Sequence, residues 1–325
     1  MYDKRSFAVS FMICVLFASI VSISGCAKKE SSIEPEIGTF YVGGESGLSL
    51  KFIEGEPPQE FFEDADIPVA VQIENIGEFD IPVGGVNVTI SGIPSTAKVT
   101  GFRNTVPNRG VLEGIEKIGD SVVPGGFEEI YFGDVNYDLG IPSGSSTPQR
   151  MFSRACYLYG ANATGSACIR ENIYAAASGA QICEVNEEKS VETSAGPIQV
   201  ANVREFARGP NKISFTVVVE NAGPGTVYWR DDGDFTCDDI KPQDTNKLKL
   251  TRAEIQGVGD ALSNGTCTGL SGTAANIVRL KPDGTGSFVC TWDTTGEDAY
   301  ESFMNLDFEY MYTAEIIKTV NIFAL

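Results

Sequence analysis

The residues able to do chemistry in this chain are cysteines and carboxylates, because the 325-residue sequence contains no histidine. Without imidazole there is no Ser-His-Asp or Cys-His catalysis, no ordinary catalytic zinc site and no haem axial histidine. Eight cysteines are present, at positions 14, 26, 156, 168, 183, 237, 267 and 290. The last six, Cys156, Cys168, Cys183, Cys237, Cys267 and Cys290, contain no C-x-x-C pair, which disfavours a thiolate metal site and predicts three disulfides in an oxidising compartment. Strand placement predicts Cys156 with Cys168 and Cys267 with Cys290, leaving Cys183 for Cys237. Asp and Glu number 44 against 24 Lys and Arg, for a formal charge of -20. Such a surface repels phosphate backbones, so nucleic-acid binding is not expected. Five aspartates, Asp231, Asp232, Asp234, Asp238 and Asp239, crowd the loop around Cys237. Oxygen-rich, glycine-containing loops can hold calcium, so this one is a weak candidate for a structural ion, against the plainer reading of a solvated acidic loop. No other metal or cofactor is expected. Three Asn-x-Thr sequons, at Asn87, Asn162 and Asn264, are glycosylation candidates. The last two are expected in loops and the first in a strand. Phe61, Phe62, Tyr228 and Trp229 lie near expected loops, where aromatic rings bind partners or cover the end of a fold.

These groups need an address and a scaffold. Lys4 and Arg5 precede an apolar run from Phe7 to Ile23, the order of an export signal, and Ile23-Ser24-Gly25-Cys26 resembles a bacterial lipobox. Cys26 is then the lipid-attachment residue, and two acyl chains would hold the protein stably. An uncleaved membrane-anchor helix and an ordinary cleaved signal are the alternatives for residues 1–26. All three place the rest of the chain outside the cell, and the lipid or helix would hold it at the surface, with residues 27–38 as a tether.

Downstream, short runs of alternating apolar residues separated by Gly, Pro and Asn give an all-β signature. Pro68 to Glu74 places Val69, Val71 and Ile73 on one face and ends in Glu74-Asn75-Ile76-Gly77; Ile213 to Val219 ends in Glu220-Asn221-Ala222-Gly223. In both copies Asn-x-Gly suits a turn, with glycine supplying positive φ and asparagine tolerating it. Repetition in matching contexts predicts two related β-sandwiches, at 39–185 and 198–325, joined by a linker at 186–197. Gly160 to Gly165 is read as a turn between strands Arg150–Tyr159 and Thr164–Arg170. Leu306 to Phe323 is too long for one ordinary strand, so a bend near Thr313 and Ala314 is expected.

The Val-x-Val-x-Ile-Glu-Asn-x-Gly pattern resembles the second strand of immunoglobulin-like, adhesion-type modules of bacterial and archaeal surface proteins. It departs from antibody domains in lacking a Cys-Trp-Cys core. The resemblance implies two tandem immunoglobulin-like sandwiches. The function expected is non-enzymatic: a cell-surface lipoprotein, anchored to the membrane through its N-terminal lipid or helix, that binds an extracellular protein or glycan through loops or edge strands. Two alternatives stand beside it. One is a filament subunit that self-associates by strand donation, and the other is a carboxylate-based glycan hydrolase.

Overall fold

The structure is a computed structural model, and it describes residues 40–170, 183–230, 237, 240–271 and 276–324. These fall within one compact unit, Thr39–Leu325. The first ten strands are β1 (Leu48–Phe52), β2 (Glu60–Phe62), β3 (Asp66–Asn75), β4 (Val86–Ser91), β5 (Lys98–Thr100), β6 (Thr105–Pro107), β7 (Glu116–Ile118), β8 (Ser121–Val123), β9 (Phe127–Asn136) and β10 (Ser146–Ile169). The remainder are β11 (Glu188–Lys189), β12 (Val191–Thr193), β13 (Ile198–Gly209), β14 (Lys212–Asn221), β15 (Val227–Tyr228), β16 (Lys247–Ile255), β17 (Gly259–Asp260), β18 (Cys267–Thr268), β19 (Ile277–Arg279), β20 (Thr285–Asp293) and β21 (Tyr300–Phe323). No helix occurs among the described residues, so none there could cross a membrane.

Three sheets carry the core. A four-stranded sheet runs β1-β3-β9-β5, and a five-stranded sheet runs β11-β13-β14-β20-β18. The third sheet follows the path β17-β16-β21-β10-β4-β6 and takes strands from both sides of segment 186–197. That segment supplies β11 and β12, which pair with β13 and β10. Alternation explains the layering. Val69, Val71 and Ile73 of β3 and Ile213, Phe215, Val217 and Val219 of β14 are all buried, as their spacing predicts. Ring pairs such as Phe288 of β20 against Phe308 of β21, 6.2 Å apart, join the five-stranded sheet to the long one. The Tyr159 hydroxyl of β10 reaches Asn75 of β3 and joins the four-stranded sheet to it.

Two expected breaks are absent. β10 runs unbroken through Gly160–Gly165, and β21 runs unbroken through Thr313 and Ala314. Gly160 serves close approach rather than a turn: a Cβ there would strike the Phe79 ring. Each 24-residue strand exceeds the usual strand length because the other matches it along its whole extent, from Ser146 opposite Phe323 to Ile169 opposite Tyr300. At the middle of this pairing Leu158 faces Met311.

Candidate functional site

The middle of the β10–β21 pair carries the four buried tyrosines Tyr157, Tyr159, Tyr310 and Tyr312. Two of them close matching locks on the Asn-x-Gly motifs. Tyr159 donates its hydroxyl to Asn75 Oδ1 at 3.0 Å and accepts the Phe79 N–H, while Asn75 Nδ2 donates to the Phe79 carbonyl. Tyr312 donates to Asn221 Oδ1 at 3.0 Å and accepts the Gly225 N–H, while Asn221 Nδ2 donates to the Gly225 carbonyl. The backbone around each asparagine also corresponds. Asn75 N–H bonds to Gly126 and Ile76 N–H to Gly47, just as Asn221 N–H bonds to Gly284 and Ala222 N–H to Pro197.

The motif glycines therefore act by absence of a side chain, which corrects the positive-φ reading. Neither Gly77 nor Gly223, nor either asparagine, has positive φ. A Cβ on Gly77 would collide with the Tyr159 hydroxyl, and one on Gly223 with the Tyr312 hydroxyl. Asn75 does cap its own turn, accepting the Gly77 N–H.

Burial sets the chemistry of these phenols. Desolvation pushes Tyr312 up to about 12 and holds Tyr157, Tyr159 and Tyr310 well above the ordinary value of 10.0. They stay protonated, and Tyr159, Tyr310 and Tyr312 serve as hydrogen-bond donors, to Asn75, the Gly160 carbonyl and Asn221.

Beside them opens a cleft of about 410 Å³. Leu48 and Leu50 of β1 and Tyr157 and Tyr312 of the long strands give it an apolar lining, and Glu45, Arg154 and Glu315 give it charge. The Tyr157 and Tyr312 rings stand 5.9 Å apart, edge to face. Aromatic and aliphatic walls with a few charges suit the retention of a ligand by contact and hydrogen bonding. Among the described residues, Glu45 and Glu315 are its only carboxylates.

All six downstream cysteines are paired, but two of the three bonds differ from those expected from strand order. Cys267–Cys290 forms as anticipated, across β18 and β20. Cys156 bonds to Cys237 and Cys168 to Cys183. The predicted Cys156–Cys168 bond needed a hairpin at Gly160–Gly165, and in an unbroken strand these residues lie twelve positions apart on one ladder. Cys237 is the one described residue of the acidic loop, and its bond ties that loop to β10. Asp231, Asp232, Asp234, Asp238 and Asp239 lie outside the described residues, as do Cys26 and the whole leader and tether. Among the described residues no cluster of three or more acids and thiols is arranged to hold a metal.

Asn162 lies in β10, not in a loop, and is half-buried with its backbone tied to Ser194. Asn87 lies in β4 as expected, and Asn264 is exposed in a turn. Of the four aromatics, Phe61 and Tyr228 are buried, Phe62 is exposed, and Trp229 is half-buried with the Lys249 ammonium 5.3 Å from its ring centre.

The sequence reading missed a buried ion pair. Glu205 of β13 receives Lys189 Nζ of β11 at 3.1 Å and the Cys168 N–H of β10. Desolvation dominates and pushes Glu205 up to about 7, against the opposing pull of Lys189. The missed signal was a glutamate in phase with inward-facing Val203 on an alternating strand. Glu78 was also missed: its carboxylate accepts the N–H groups of Val42, Gly43 and Ala195, binding the entry segment to the turn before β13.

No family model matches the chain, and neither does any curated protein. Among solved structures, similarity was found to the secreted serine protease VesC from Vibrio cholerae, with a TM-score of 0.19 and 12% identity over 80% of this chain and 49% of that one. The chain thus spans about half the length of that protease. A second match is the collagen-binding domain of the surface protein RspB from Erysipelothrix rhusiopathiae, with a TM-score of 0.14 and 8% identity over 86% of this chain and 94% of that domain. At such scores neither likeness bears on what this chain does.

Proposed function

We propose that this chain is a non-enzymatic surface-binding lipoprotein. Two immunoglobulin-like modules, fused through β10 and β21, present the cleft between Tyr157 and Tyr312 and the adjoining loops and edges to an extracellular protein or glycan. The observation that carries the reading is the set of three disulfides joining every cysteine downstream of Cys26. Such crosslinking fits an oxidising compartment outside the cytoplasm. Tyrosines whose burial raises their pKa, together with the lack of histidine, favour binding over acid–base turnover at the cleft.

The test expresses the full chain in a lipoprotein-exporting bacterial host. Intact cells are probed with protease, with arrayed glycans and extracellular proteins, and with an assay for newly released reducing ends. The reading expects diacylated Cys26 by intact mass, surface cleavage, and at least one retained partner that is lost in a Glu45→Lys, Glu315→Lys variant. Protein held in the cytosol with free thiols would overturn it, and so would release of reducing ends from a glycan.

A further inference from the structure

We propose that Asn264 is the N-glycan attachment site of this chain, and that its sugar shields β18, the last described strand of the five-stranded sheet. Of the three sequons, only Asn264-Gly265-Thr266 has both its asparagine and its threonine exposed, in a turn. Gly265 holds positive φ there, its N–H bonds to Leu262, and Thr266 bonds back to Ala261 through both its N–H and its hydroxyl. The turn thus presents the Asn264 amide outward on a fixed base. In the transfer, the amide nitrogen forms a bond to the anomeric carbon of a lipid-linked oligosaccharide. The bond from that carbon to the lipid phosphate breaks, the phosphate leaves with the electron pair, and the amide loses one proton.

The other two sequons are occupied by sheet. Asn87 is flanked by Cys156 of β10 on one side and Pro107 of β6 on the other. Asn162 faces Asp307 of β21, and its own N–H and carbonyl are tied to Ser194. A transferase could reach either only by opening ladder hydrogen bonds in the long sheet.

A second observation gives the sugar a task. Three residues beyond Asn264 the chain enters β18, the terminal strand of the five-stranded sheet, fixed there by Cys267–Cys290. Exposed edges are ordinarily blunted by shortness, by charge, by proline or by a covering element, and β18, at two residues, has the first of these. From Ala261 to Ser271 the sequence contains neither a charged residue nor a proline. A bulky, hydrated glycan on Asn264 adds a cover where charge and proline are lacking. The proposal goes beyond the binding role and shares with it only an extracytoplasmic location, on which the following test does not depend.

The full chain, with its three disulfides intact, is incubated with a purified oligosaccharyltransferase and a lipid-linked oligosaccharide, and glycopeptides are mapped by mass. A reduced, denatured sample is treated in parallel. In the folded protein Asn264 should be modified at least about tenfold faster than Asn87 or Asn162, a preference that collapses to within a few-fold on denaturation. Asn264→Gln should abolish modification of the folded chain. The glycosylated protein should remain monomeric by light scattering at concentrations where the unmodified protein associates. An Asn264 silent in the folded chain but modified in the denatured one, or equal modification of strand sequons, would overturn the site. Equal association with and without sugar would overturn the shielding role.

Discussion

The two tyrosine hydroxyls act at single atoms, so their removal is a sharp test. Tyr159→Phe leaves Asn75 Oδ1 without its phenol donor and the Phe79 N–H without its acceptor inside the core. A buried polar group without its partner costs about 1–3 kcal/mol, and Tyr312→Phe should behave alike at Asn221. Urea unfolding should report a lowered midpoint with unchanged slope for both. Gly77→Ala and Gly223→Ala should be at least as damaging, because the new methyl displaces the hydroxyl as well. Glu205 gives a pH test of opposite sign to that of most carboxylates. Folding raises it from an ordinary 4.5 to about 7, so the native state holds a proton that the unfolded chain has already released. That stabilisation is complete below about 4.5 and is lost as pH rises through about 7. Unfolding free energies from urea titrations between pH 5 and 8 should therefore fall for the wild type by more than for Glu205→Gln, by roughly 1–3 kcal/mol. At this scale the sequence showed Asn-x-Gly recurring but not what it met. The tyrosine that seats on Gly77 lies more than eighty residues away, and no local pattern announces a long-range contact.

Strands were legible wherever alternation was clean, as in β3 and β14, whose inward faces match the expected apolar sets. Their pairings were less so. Gly160 and Gly165 carry the composition of a turn, yet Phe79 lies over Gly160, and a partner of equal length holds β10 straight. One misread turn then misassigned two disulfides, since Cys156 had seemed to face Cys168 across a hairpin. The true bonds differ in how much chain they close: 81 residues for Cys156–Cys237 against 15 for Cys168–Cys183. On chain entropy alone the longer loop contributes about 4.5 kcal/mol and the shorter about 3 kcal/mol. The Cys156→Ser, Cys237→Ser double variant should accordingly lose more stability by urea titration than Cys168→Ser, Cys183→Ser. Non-reducing peptide mapping of the wild type should recover Cys156 linked to Cys237.

For the molecule as a whole, composition and repeats conveyed the all-β class and the recurrence of one strand plan. The four-stranded order β1-β3-β9-β5 and the run β13-β14-β20-β18 correspond strand for strand, with Asn75 and Asn221 in matching places. Hidden from the sequence was the shared sheet, because a repeat shows that two parts are alike and not that they are hydrogen-bonded together. Leu158 and Met311 each precede a lock tyrosine and face one another, so the two plans meet about a pseudo-twofold axis there. With β10 and β21 common to both, calorimetry and denaturant titration should give one cooperative transition with coincident probes. Two resolved transitions would show that the shared strands do not couple the layers. The same pair governs how the molecule answers a pull. The Phe40 ring packs on Phe303 near the start of β21, and β21 ends at Phe323 against Phe62, about 65 Å further along an extended strand. Tension between those two points runs parallel to the β10–β21 ladder and loads its bonds in shear. They must then fail together instead of unzipping one by one, so the fold should resist a pull along this axis far better than one across it.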